Sequence, residues 1–153
     1  MTTTLPPAAT EALTDLALNP IRDRLGLKDG DLKGAALAGK RALDQGQALE
    51  ALNIFRTLVL LDPLAIDPQI GLAEAALAGG LNELAMQCAS VVVAQAPRRA
   101  EGYLLSGRAA MAMGETDVAQ EDLAEAQRHA EEAGATDLAA EARNCLARLQ
   151  DAV

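Results

Sequence analysis

The residues able to carry chemistry are few. The chain has one histidine, His129, and two cysteines, Cys88 and Cys145. A metal cluster that includes histidine, or a Cys–His–Asn arrangement, therefore has one candidate at best. Neither cysteine sits in a CxxC or other ligand spacing, and one disulfide between them is the only pairing possible. Both lie among apolar neighbours in helical stretches, where a free cysteine behaves as a small buried hydrophobe. His129, in an acidic and alanine-rich stretch, is expected as a solvated or edge residue. Ser90 and Ser106 have no GxSxG around them. Gly30 and Gly79-Gly80 belong to no GxxxxGK[ST] or GxGxxG string that would cradle a phosphate. Paired carboxylates such as Glu121-Asp122 are abundant, and abundance on a helical surface is not an acid–base site. The expectation is a protein without enzymatic activity, metal or cofactor.

The second chemistry open to such a chain is recognition. Three triplets each place small or apolar residues beside one charged residue at helical spacing: Ala36, Lys40 and Leu43; Ile70, Glu74 and Leu77; Leu104, Arg108 and Met111. Such triplets suit an extended peptide with apolar anchors, and Lys40 and Arg108 could bind its carbonyls or acidic side chains. The plainer alternative is that Leu43, Leu77, Leu104 and Met111 belong to the core and the charged members are ordinary surface.

These triplets are positioned by one spacing. Gly46, Gly80 and Gly114 are 34 residues apart, as are Ala51, Ala85 and Ala119, and Pro63 and Pro97 keep the same offset. A period of 34 with two short helices per unit is the signature of a tetratricopeptide solenoid. The expected fold is all-α, with three stacked helix pairs, an N-terminal helical arm and a C-terminal capping helix. The divisions fall at 1–31 for the N-terminus and arm, 32–65, 66–99 and 100–133 for the repeats, and 134–153 for the cap. In such a stack the A helices form the inner wall, where the triplets lie.

Composition agrees. Half of the 153 residues are hydrophobic, yet there is one Phe, one Tyr and no Trp, so the core must come from Leu, Ala, Val, Ile and Met. Alanine favours helix and permits close helix approach. A formal charge of −9 argues against general nucleic-acid binding, which needs a positive footprint. It solvates outer faces and would favour a basic partner. MTTTLPPAAT lacks the basic and long apolar regions of a signal peptide, and no stretch approaches the ~18 apolar residues of a membrane span. A cytoplasmic protein is the default expectation.

Along the chain, a short helix is expected over Glu11 to Leu18, interrupted at Asn19-Pro20. Leu13, Leu16 and Ile21 then either cover the first repeat or meet a second copy of the protein. Helices are expected over 32–44, 48–61, 68–78, 81–95, 99–113, 116–132 and 136–151. Asp67 is read as a cap with Pro68 in the first turn. Gly46 is read as a turn residue where a close crossing leaves no room for a side chain. Gly39, Ala73 and Gly107 keep a small residue at one phase of every A helix. The last helix presents Leu138, Ala142, Cys145, Leu146 and Leu149 as an apolar stripe, with Glu141, Arg143, Asn144 and Arg148 toward water.

At Gly39, Ala42, Gly46, Ala51, Phe55 and Pro63, and again at Gly107, Ala110, Gly114 and Ala119, the chain resembles the tetratricopeptide repeat. More narrowly it resembles the class II chaperones of bacterial type III secretion, which serve translocator proteins. The stretch QGQALEALNIFRTLVLLDP (45–63) is similar to that family's first repeat, and PQIGLA (68–73) to the start of its second. The resemblance implies a chaperone that binds an extended segment of a hydrophobic translocator in the concave groove, with dimerisation through the N-terminal arm. Family grooves carry aromatic residues where this chain has at most Tyr103, which implies different anchors. The alternative is a general repeat scaffold that assembles a soluble complex.

Overall fold

The structure, a computed structural model, describes Glu11, Ala12, Thr14, Asp15 and residues 20–151. Leu13 and Leu16 of the expected arm lie outside the described residues. The helices run α1 (Ile21–Arg24), α2 (Asp29–Asp44), α3 (Ala48–Leu61), α4 (Ile66–Ala78), α5 (Asn82–Gln95), α6 (Ala100–Met113), α7 (Thr116–Glu132) and α8 (Thr136–Asp151). No strand occurs among the described residues. α2 starts three residues before the expected Leu32, because the Asp31 carboxylate accepts the Lys28 N–H at 3.0 Å and extends the first turn. Asp67 is not the cap of α4: the helix already begins at Ile66, and Asp67 sits in its first turn instead.

The A helices end alike. Gly46 donates its N–H to Leu43 O (2.9 Å) and Gln47 to Ala42 O (2.8 Å). Gly80 and Leu81 repeat this on Leu77 and Ala76, and Gly114 and Glu115 on Met111 and Ala110. The doubled bond requires a left-handed residue, and φ is 72°, 74° and 77° at the three glycines. A Cβ on Gly46 would meet nothing within 4 Å, so the glycine is there for backbone handedness and not, as its place in the turn suggested, for lack of room.

Crowding occurs at other glycines. A Cβ on Gly39 would lie 2.8 Å from Phe55 Cε2, one on Gly71 would also run into the Phe55 ring, and one on Gly107 would lie 2.6 Å from Leu123 Cγ. Phe55 of α3 is thus wedged between α2 and α4, only 2 % exposed. The buried Gln69 side chain donates to Pro63 O (3.0 Å) and ties the α3–α4 turn onto α4.

From α2 onward each helix packs on the next in sequence, whereas α1 rests on α3. α2, α4, α6 and α8 also touch in series, whereas no such series links α3, α5 and α7. That asymmetry makes the A helices one continuous wall, with α8 standing where a fourth A helix would. Its stripe of Ala142 and Cys145, with Leu138 and Leu146, closes on Leu104, Leu123 and Ala126. Burying this stripe covers the apolar end that a repeat stack would otherwise expose.

Candidate groove on the A-helix wall

The nine triplet residues divide by depth. Ile70 and Leu104 are buried, the first in the core shared by the first two repeats and the second in the core under α8. Ala36, Leu43, Leu77 and Met111 are half-buried and pack against those cores while keeping part of their surface open. Lys40 is exposed, and Glu74 and Arg108 are half-buried. A helices need apolar residues toward the B helices and toward both neighbouring A helices, which draws the first triplet position inward in the second and third repeats.

Lys40, Glu74 and Arg108 occupy equivalent positions of α2, α4 and α6, and a fourth charge, Glu141 of α8, pairs with Arg108 at 3.1 Å. The wall therefore carries a ladder of alternating sign set in apolar surface. Burial pushes the Glu74 carboxyl above its ordinary value, against the pull of Lys40 and Arg108 and with the push of Glu141 and Glu101. The other three ladder charges, Lys40, Arg108 and Glu141, all act on this one half-buried carboxylate, so the ladder is electrostatically connected. Beyond it the wall deepens into a cavity of about 340 Å³ lined by Leu77, Asn82, Arg108, Met111, Ala112, Cys145 and Arg148.

Ile21, the one described member of the expected arm triplet, is half-buried in α1. A neighbouring residue anchors that segment: Arg22 faces Asp29 at 3.1 Å and Asp62 at 3.4 Å. Between α2 and α3 lies an apolar cavity of about 470 Å³, lined among others by Leu27, Leu32, Ile54, Leu58 and Leu61.

His129 departs from expectation. It is buried, 8 % exposed, with its ring stacked on Tyr103 at 5.2 Å between centroids. Arg128, which carries only donors, donates to His129 Nε2 at 2.9 Å. Tyr103 lies on α6 and His129 on α7, and only their pairing brings the rings together. Both cysteines are buried and unpaired, and burial pushes the Cys88 thiol up to about 11, far from a reactive thiolate. Among the described residues no group of three His, Cys, Asp or Glu side chains converges to hold a metal, and no helix is long and apolar enough to cross a membrane.

No protein-family model and no curated protein matches the sequence. Solved structures do. A T3SS complex from Aeromonas hydrophila superposes with a TM-score of 0.81 at 22% identity, over 95% of this chain and 97% of that one. The type III secretion translocator chaperone SycD of Yersinia enterocolitica gives 0.77 at 18%, over 85% and 98%. PcrH, known from Pseudomonas aeruginosa, in complex with the chaperone binding region of PopD gives 0.75 at 24%, over 82% and 96%. At these identities the likeness establishes the fold: the chain is an all-α tetratricopeptide solenoid built like those of type III secretion chaperones.

Proposed function

We propose that the chain is a non-enzymatic secretion chaperone that holds an extended segment of a hydrophobic translocator protein against its A-helix wall. The observation that carries this is the ladder of Lys40, Glu74, Arg108 and Glu141 set among the half-exposed Ala36, Leu43, Leu77 and Met111. An extended segment brings unpaired N–H and C=O groups at regular spacing, and alternating cations and carboxylates supply acceptors and donors for both. Apolar side chains between them take alternate anchors. The similarity to SycD, a translocator chaperone, and to PcrH seen with the chaperone binding region of PopD supports the same reading. Holding the client in the cytoplasm before secretion is the corresponding place of action.

Co-purification from the native host, with mass spectrometry of what stays bound, tests the reading. One hydrophobic, membrane-inserting protein is expected, and Leu77→Asp with Lys40→Glu should release it while circular dichroism stays helical. A stable set of soluble proteins retained by that double variant would point to a scaffold instead. Dimerisation through Leu13, Leu16 and Ile21 belongs to the same proposal. Sedimentation of a chain lacking residues 1–30 should then give a smaller species, and an unchanged mass would exclude the arm.

A further inference from the structure

The cavity at the end of the ladder has an unusual lining for this molecule. The chain carries 22 acidic residues against 13 Lys and Arg, yet the cavity is lined by two arginines, Arg108 and Arg148, with Asn82 and no carboxylate. Leu77, Met111 and Ala112 supply an apolar floor. The arginines come from different helices, α6 and α8, and Asn82 is the first residue of α5. Their fields converge: burial raises the Cys145 thiol, and Arg108 and Arg148 both pull it back down while Glu141 pushes it up. Glu141 engages Arg108 through Nη1 at 3.1 Å, and Arg148 makes no ion pair among the described residues.

Glu141 offsets part of the Arg108 charge, whereas the exposed Arg148 on the same rim is left without a counter-charge among the described residues, and a guanidinium presents a planar fork of donors matched to carboxylate geometry. The cavity is continuous with the ladder through Leu77, Arg108 and Met111, so a segment lying along the wall reaches it. We infer that this cavity is an acidic-anchor pocket: it takes an aspartate or glutamate side chain of the bound segment between Arg108 and Arg148, with the Asn82 amide as a further donor. The inference rests on the groove reading proposed above and adds a sequence requirement to it. A client would carry apolar anchors for the wall followed, at a fixed offset, by an acidic residue.

The probe is a phage-displayed library of randomised 12-residue peptides, selected on the full chain and on Arg148→Ala. Wild-type protein should enrich an acidic residue at one offset from the apolar anchors. Arg148→Ala should keep the apolar anchors and lose the acidic preference. A selected peptide, synthesised with an amidated C-terminus, should bind about tenfold more weakly when its acidic residue becomes Gln or Asn, the scale of one charge-assisted hydrogen bond. On Arg148→Ala that loss should shrink to less than about twofold, the signature of direct coupling in a double-mutant cycle. Circular dichroism of both proteins establishes that the variant folds.

Wild-type binders with no acidic preference, or a preference that Arg148→Ala leaves intact, would overturn the pocket while leaving the groove standing. A need for a free C-terminal carboxylate in place of the side chain would also overturn it. Failure of the wild-type wall to select any peptide would remove the groove and the pocket together.

Discussion

The first and second repeats solve one packing problem in opposite ways. At equivalent positions, 34 residues apart, the B helices carry Phe55, Ala89 and Leu123. The A helix before each carries Gly39, Ala73 and Gly107, and the A helix after each carries Gly71, Leu105 and Ala139. In the first repeat a phenyl ring fills the space and both flanking helices give up their side chains to it. In the second, Ala89 and Ala73 are small, and Leu105, 2 % exposed, shares their core cluster. In the third, Leu123 presses into Gly107. What is kept from unit to unit is the filled volume, not the residue that fills it, as close packing requires. The 34-residue period therefore governs backbone turns strictly and core side chains only jointly.

Breaking the first solution should have the largest effect. Phe55→Ala removes a ring enclosed on both sides and is expected to cost about 3–5 kcal/mol in denaturant unfolding. Adding Gly71→Leu, which transplants the second repeat's arrangement, should recover part of that loss, with a coupling of about 0.5–3 kcal/mol. Simple addition of the two single effects would show that the positions do not compensate.

The two kinds of glycine separate next. Gly107→Ala drives a Cβ into Leu123 and should destabilise by about 1–3 kcal/mol. Gly80→Ala meets no atom and pays only for left-handed backbone, about 1 kcal/mol. Asparagine, which tolerates that backbone, should largely restore position 80 and worsen position 107. Equal behaviour of asparagine at both sites would contradict the distinction.

The smallest effect concerns pH. The Glu74 carboxyl is held above its unfolded value chiefly by burial, so the folded state binds more protons around it. Its contribution is fully favourable below the unfolded value, about 4.5, and is lost as pH rises through the higher folded value. Glu74→Gln should therefore flatten the stability profile just above pH 4.5 and stabilise the fold slightly at neutral pH. Thermal melts across that range check the sign, and a Gln variant that is less stable at pH 7 would reverse it.

The repeat architecture was legible because helix-ending glycines and prolines act through local backbone geometry, which a periodic sequence displays directly. α3, α7 and α8 begin and end where patterning placed them. The role of Gly46 was not legible, since a left-handed residue and a crowded one look alike in sequence. Nor was the stacking of His129 on Tyr103, which depends on the relative rotation of two helices. Arg148 reads as a water-facing residue on α8. It is exposed, as that reading expects, and only the docking of α8 as a fourth inner helix puts it on the rim of one cavity with Arg108 and Asn82. Ile70 and Leu104 read as groove residues because their phase matches Ala36, yet larger side chains at that phase are drawn into the core.

The central claim is that the A-helix wall, and not the B-helix side, holds the client. Photo-crosslinking from p-benzoylphenylalanine placed at Lys40 on α2, and separately at the exposed Gln87 on α5, tests it most directly in the native host. The account predicts one hydrophobic protein cross-linked from position 40 and none from position 87. Cross-links from position 87 alone would contradict it and place the binding surface on the outer helices.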